Sequence, residues 1–272
     1  MKAVTLGKCI KYREPSFEID PITPLVDVKM PPRVPRPLLL GHRGVRPLRR
    51  LAGSGYDSDV PAENTVAAFD YALANGCDGV EFDVRYTRDH RCVLCHDPAY
   101  NRKELASTAY ADLDLCDANK LPCLEEVLRG FGGCAYLDIE LKAPGNEEAV
   151  VAALHATPPQ RGYVVSSFLP EVLLRIHEID SSIPLGYVCK RADAAQGWTE
   201  LPIKAFIPHH ALVTPQLVED AHEGGLHVIT WTVNRKRDLL RLAIWGVDGL
   251  ISDDPKLLAE VFPSARAFAA VS

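Results

Sequence analysis

From Leu38 onward, apolar residues fall into two alternating patterns: short continuous runs, and longer stretches in which they recur with a helical period. The first pattern suits a strand covered on both faces, and the second a helix buried along one stripe. Runs of the first kind lie near residues 38–42, 79–84, 135–141, 163–167, 185–188, 204–207, 227–231 and 249–252. Helical stretches lie near 65–75, 124–131, 147–155, 170–179, 215–223, 235–245 and 255–261. Strands joined by helical crossovers run parallel, because the crossover returns the chain to the same edge. Eight such strands close on themselves, so the predicted fold class is α/β, a single (β/α)8 TIM barrel. The crossover after 185–188 has no clear helical pattern of its own.

One further apolar run, 92–96, follows too soon after 79–84 for a parallel crossover and must return as an extra hairpin strand after the second barrel strand. A turn centred between Arg88 and Asp89 sets Leu94 opposite Asp83 and His96 opposite Glu81. Ahead of the barrel, the first 37 residues hold seven prolines, with Pro31, Pro32, Pro35 and Pro37 clustered at the end. Proline fixes φ and lacks a backbone N–H, which excludes regular helix and disfavours a central strand. The predicted domains are therefore a proline-rich N-terminal arm, 1–37, and a barrel, 38–272.

Composition narrows the classes of function. A chain of 272 residues with 47% apolar content can bury a core of this size as one domain. The net charge of −6 argues against a nucleic-acid partner, which would call for a basic face. No apolar stretch approaches the roughly 18 residues of a membrane span, and no charged start precedes an apolar leader. A cytoplasmic protein without integral membrane association is expected. Its eight cysteines are scattered along a chain long enough to need no disulfide framework, so reduced thiols fit. Cys92 and Cys95 form a lone C-x-x-C within an apolar run and read as buried structural residues.

In parallel barrels chemistry gathers at the C-terminal ends of the strands. Polar residues end four of the apolar runs: His42 and Arg43; Glu81 and Asp83; His96; and Asp138, Glu140 and Lys142. Glu81 and Asp83 are two apart on one strand and so share a face, as do Glu140 and Lys142. Convergent carboxylates repel unless a cation sits among them, and hard oxygen ligands suit Mg2+ or Ca2+. The same acids would alternatively pair with Arg43 and Lys142 in a structural ion-pair network. His42 and His96 suit a general acid and base near neutral pH, and Arg43 with Lys142 would add positive charge for a phosphodiester. Arg46, Arg49 and Arg50 read as a solvated loop. His155, His177 and His222 fall on helices, and His209 or His210 would face the mouth. Trp231, ending the seventh strand, would meet an apolar part of a substrate or pack in the barrel.

These residues occur within a series of motifs: Gly41-His42-Arg43-Gly44, Glu63-Asn64-Thr65, Glu81-Phe82-Asp83-Val84, His96-Asp97, Leu121-Pro122, Glu140-Leu141-Lys142, Trp231-Thr232-Val233-Asn234 and Ser252-Asp253-Asp254-Pro255. In order and spacing the series resembles the glycerophosphodiester phosphodiesterase family, from about Leu38 to Pro255. The resemblance implies a barrel enzyme that cleaves glycerophosphodiesters to sn-glycerol 3-phosphate and an alcohol with Mg2+ or Ca2+. By similarity, Glu81, Asp83 and Glu140 are metal ligands, His42 and His96 move protons, and Arg43, Lys142 and Trp231 meet the small-molecule substrate. Glu63 would stand behind the metal ligands. Two departures stand out: a long connection over 45–60, which would lid the site, and an alanine between Pro61 and Glu63. A lysophospholipase D or sphingomyelinase D-like lipid phosphodiesterase is the nearest alternative, and an inactive barrel acting as a binding protein is another. The preferred alcohol and the oligomeric state stay open.

Overall fold

The structure is a computed structural model that describes residues 36–46, 60–113, 121–192 and 197–263. The chain divides into two units, 1–33 and 34–272, and the first lies outside the described residues, as do 47–59 of the expected lid. Of the expected arm, Arg36 and Pro37 are described. Arg36 reaches Asp78 at 2.8 Å.

Eight parallel strands form the barrel: β1 (Leu38–His42), β2 (Gly79–Tyr86), β6 (Tyr136–Leu141), β7 (Tyr163–Ser167), β8 (Leu185–Cys189), β9 (Ala205–Pro208), β10 (His227–Thr230) and β11 (Gly249–Ser252). Each pairs with the next, and β1 pairs with both β2 and β11, which closes the ring. Among the described residues seven α-helices cover it: α1 (Val66–Ala74), α2 (Leu124–Phe131), α3 (Glu147–Ala156), α4 (Pro170–Ile179), α5 (Pro215–Glu223), α6 (Lys236–Ile244) and α7 (Pro255–Val261). The predicted TIM barrel is therefore observed. Between β8 and β9, the described residues carry only a short 3-10 turn at Trp198–Glu200, which is where no helical pattern was legible.

Local chemistry sets the helix starts. Pro170, Pro215 and Pro255 occupy the first turns of α4, α5 and α7, where a missing N–H costs nothing. The Thr65, Thr214 and Asp254 side chains accept from backbone N–H groups of the turns that follow. Strand alternation then sorts the core into two shells. Phe69 of α1 packs on Phe82 of β2 and edge-on to Phe131 of α2, each at 5.5 Å, between barrel and helices. Inside the barrel, Leu40, Val164, Ile207, Ile229 and Ile251 form a separate buried cluster.

Between β2 and β6, the strand β3 (Cys92–Leu94) pairs antiparallel with the far end of β2, as the hairpin expected from the sequence. Its register differs from that expectation by one residue, with Leu94 opposite Val84 and not Asp83. The cause is the turn. Thr87 N–H donates to Arg91 and His90 N–H to Thr87, so three residues form the loop, the last of them, His90, left-handed at φ 59°. The ladder therefore ends at Leu94, and the expected facing of His96 and Glu81 does not form. Cys95 N–H donates to the Asp83 carbonyl, while the His96 carbonyl accepts from Arg85 Nε at 2.8 Å. Cys92 is buried and Cys95 half-buried, both as free thiols. A small antiparallel pair, β4 (Ala99–Tyr100) and β5 (Lys103–Glu104), follows before α2.

Candidate active site

The pairing of β2 with β6 sets Glu81 beside Asp138 and Asp83 beside Glu140. All four carboxylates belong to inward-facing positions, because Val80, Phe82 and Val84 alternate with them in the outer shell. The predicted triad comes together. Glu81, Asp83 and Glu140 each offer an oxygen, and these oxygens lie within 4.8 Å of one another. All three residues are buried.

Part of their charge is met by cations. Lys142 Nζ lies 2.6 Å from Glu140 Oε1 and 3.3 Å from Asp83 Oδ1. Arg43 Nε lies 2.9 Å from Asp83 Oδ2, within ion-pair distance though off the line of a hydrogen bond. The backbone N–H of Arg43 donates to Glu81 Oε2 at 2.9 Å. It can do so because Arg43 is left-handed, at φ 53°, and Gly44 follows at φ 79°. A Cβ at Gly44 would meet the Ala68 backbone at 2.6 Å, so only glycine lets this loop lie on α1. Left-handed Asn64 completes the cradle, donating to Asp83 Oδ2 and accepting from Asp83 N–H. The ion-pair network that the sequence allowed as an alternative is thus present, but it leaves acceptors over. Glu81 Oε1 and Asp83 Oδ1 are buried and receive no hydrogen bond. Glu81 Oε1 with no hydrogen bond, and Asp83 Oδ1 with only the Lys142 ammonium at 3.3 Å, beside Glu140 in one acid cluster, fit a divalent cation.

Titration follows from the same geometry. Burial, and then the neighbouring Asp83 and Glu140 charges, push Glu81 well above the ordinary carboxylate range. Burial likewise raises Glu140, with Lys142 opposing. Asp83 is equally buried, yet Arg43 and Lys142 hold it below its ordinary value. Asp138 is lifted by burial to about 7 despite a hydrogen bond from Ser166.

Both predicted histidines line one cavity of about 320 Å³ together with Arg43, Glu81, Glu140, Lys142 and Trp231. His42 is buried, and its Nδ1 lies 2.6 Å from Asp253 Oδ1. Its Nε2 is 3.8 Å from Glu81 Oε2. The half-buried His96 has Nδ1 2.8 Å from Asp97 Oδ1. Trp231 reaches the cavity wall, where its Nε1–H donates to the Ile207 carbonyl and its ring meets Phe168 edge-on. Glu63 stands behind Arg43, accepting from it at 2.7 Å and from Arg46 at 2.5 Å.

Arg46 corrects an expectation. It lines the cavity and holds Glu63, where the sequence suggested a solvated loop; the tight turn at Gly44 brings it back over the site, and its N–H donates to the Asp253 carbonyl. His209 and His210 do not line the cavity; His209 packs edge-on against Trp231. Asp253, Asn234 and Asn64 stand out in the sequence only as parts of motifs. Asn234 donates to Asp253 Oδ2 and accepts from its N–H, so Asp253 is held from both sides. An acid directly after the end of a barrel strand was the one available signal for it.

Fold and site together define an enzyme of the (β/α)8 barrel class whose mouth carries an acid cluster able to hold a divalent ion. Residues 42–257 match the glycerophosphoryl diester phosphodiesterase family, and the chain belongs to that family. A glycerophosphodiester phosphodiesterase of Caldanaerobacter subterraneus subsp. tengcongensis is 30% identical over 244 residues, covering 81% of this chain and 96% of the relative. A Bacillus subtilis glycerophosphodiester phosphodiesterase is 27% identical, covering 83% and 86%. Among solved structures, an Oleispira antarctica phosphodiesterase in complex with its product sn-glycerol-3-phosphate superposes with a TM-score of 0.70 at 24% identity, covering 84% and 97%. That likeness shows the shared fold. Among the described residues, no helix is long and apolar enough to cross a membrane.

Proposed function

We propose that this chain hydrolyses glycerophosphodiesters to sn-glycerol 3-phosphate and an alcohol, with Mg2+ or Ca2+ held by Glu81, Asp83 and Glu140. The observation that carries this reading is the convergence of Glu81, Asp83 and Glu140 oxygens within 4.8 Å of one another, at a cavity that Glu81 and Glu140 line together with His42 and His96. When bound, the cation supplies Lewis-acid charge beside a phosphoryl oxygen. Arg43 and Lys142 hold the non-bridging oxygens, each fixed in place by carboxylates behind it. Asp253 accepts the Nδ1–H of His42, which leaves Nε2 bare to take the proton of the nucleophile, either water itself or the neighbouring glycerol hydroxyl, whose cyclic phosphate water then opens. His96, with its own Nδ1 against Asp97, delivers a proton to the departing alkoxide oxygen. Trp231 offers an apolar wall to the glycerol carbons, and Glu63 keeps Arg43 extended. A reducing, cytoplasmic setting belongs to this reading, and the six free cysteines among the described residues support it.

The test is release of glycerol 3-phosphate from a panel of glycerophosphodiesters, with and without chelator. Turnover that chelation abolishes and Mg2+ or Ca2+ restores is expected. His42→Ala and His96→Ala should each lower turnover by about a hundredfold or more, the low end for general acid-base catalysis, with the fold intact. Near-normal turnover in either variant, or indifference to chelator, would overturn the assignment.

A further inference from the structure

The wall of the cavity facing away from the acid cluster differs in charge from the wall that holds it. It is built from the ends of β7 to β10, by Phe168, Val188, Lys190, Ile207, Trp231 and Thr232. The cavity's carboxylates, Glu81, Asp138 and Glu140, are all buried at its floor. At the rim the exposed Lys190 has no ion-pair partner among the described residues, directly after buried Cys189. Arg46 lies on the same lining, half-buried.

A cationic head group would need either a carboxylate or an open aromatic face. Among the described lining residues no carboxylate stands at this rim, and the aromatic rings are already engaged by neighbours. The Phe168 ring already carries Lys142 Nζ at 5.5 Å from its centroid. Trp231 is held by its Nε1–H bond to Ile207 and meets both Phe168 and His209 edge-on. A trimethylammonium group leaving the phosphate toward the Lys190 side of this rim would therefore face an ammonium, with no carboxylate among the described residues lining that side. An anionic group would gain a partner.

We propose that this enzyme prefers glycerophosphodiesters whose alcohol carries a further negative charge, and that Lys190 sets the preference. The inference rests on the hydrolase reading above and adds the charge of the head group to it. At a solvent-facing rim the attraction and the repulsion are each about 0.7 kcal/mol, so replacing one by the other is worth about tenfold in kcat/KM.

Three diesters serve as probes: glycerophosphoinositol 4-phosphate, glycerophosphoinositol and glycerophosphocholine, which differ in head-group charge. The expected order of kcat/KM is that order, with the lead of the phosphorylated inositol over choline shrinking as salt rises. Lys190→Met should reduce that ratio by about tenfold, and Lys190→Glu should push it further toward choline. Equal or greater preference for choline in the natural protein, or ratios that neither substitution moves, would overturn the assignment of Lys190 while leaving the hydrolase reading standing. Failure to turn over any of the three, with Mg2+ or Ca2+ present, would remove the hydrolase reading and this inference with it.

Discussion

A carboxylate taken out of water demands partners, and at this site the partners are unevenly supplied. Asp83 has Arg43, Lys142 and Asn64, whereas Glu81 has one backbone N–H and an oxygen left over. Removing one member of such a buried set costs about 3–5 kcal/mol, because the charge left behind has no solvent. Arg43→Ala would therefore confuse stability with chemistry, and Asp253 is the better probe at this scale. It contacts His42 and is held by Asn234. Asp253→Asn keeps the shape but lets the imidazole take the wrong tautomer, so kcat should fall by about a hundredfold or more with KM little changed. Steady-state kinetics checks this, and a loss below about threefold would show that Asp253 does not orient the ring. Little of this residue-level detail was legible beforehand. The acids and histidines announced themselves by ending apolar runs, but Asn64 and Asn234 carry no charge pattern, and their roles depend on backbone turns that only the folded chain defines.

At the scale of elements, the helices are tied to one another by polar contacts at their ends. His155, in the last turn of α3, lies 2.7 Å from Asp180, which caps α4. Hydrogen bonds from Ser182 and then from His155 lower the Asp180 carboxyl from 3.8 to about 2. A carboxyl that binds its proton less readily folded than unfolded stabilises the fold above its unfolded value, and loses that contribution as the pH falls through its folded value. The window is thus pH 3.8 down to about 2. Acid unfolding should therefore be less steep across this window in Asp180→Asn than in the natural protein; parallel curves would show that the contact adds nothing. The hairpin makes a related point about elements. Its strands were legible from apolar runs, but its register was not, since two-residue and three-residue loops fit the sequence equally and the left-handed His90 decides between them.

The whole molecule couples folding to the ion. Three carboxylates that converge only when β2 and β6 are paired cannot form this site in the unfolded chain. A cation that binds the native state alone stabilises it by mass action, by about 2.7 kcal/mol at a hundred times its dissociation constant. Mg2+ or Ca2+ should consequently raise the melting temperature, chelator should lower it, and Glu81→Gln should weaken the response. A melting temperature indifferent to both ions would remove the cation from the site. The barrel itself should persist without metal, since the buried clusters of both shells are apolar.

What the chain determined by itself was periodic: eight buried runs, the helices between them, and the polar residues that end the runs. Those features follow from local burial, which each segment signals in its own alternation of side chains. The tertiary structure decided what periodicity cannot encode. Pairing Asp83 with Glu140, turning Arg43 so that its N–H meets Glu81, and bringing Asp253 to His42 across 211 positions of sequence all arise from barrel closure. Closure is a collective property: it fixes distances between strand ends that no single segment carries.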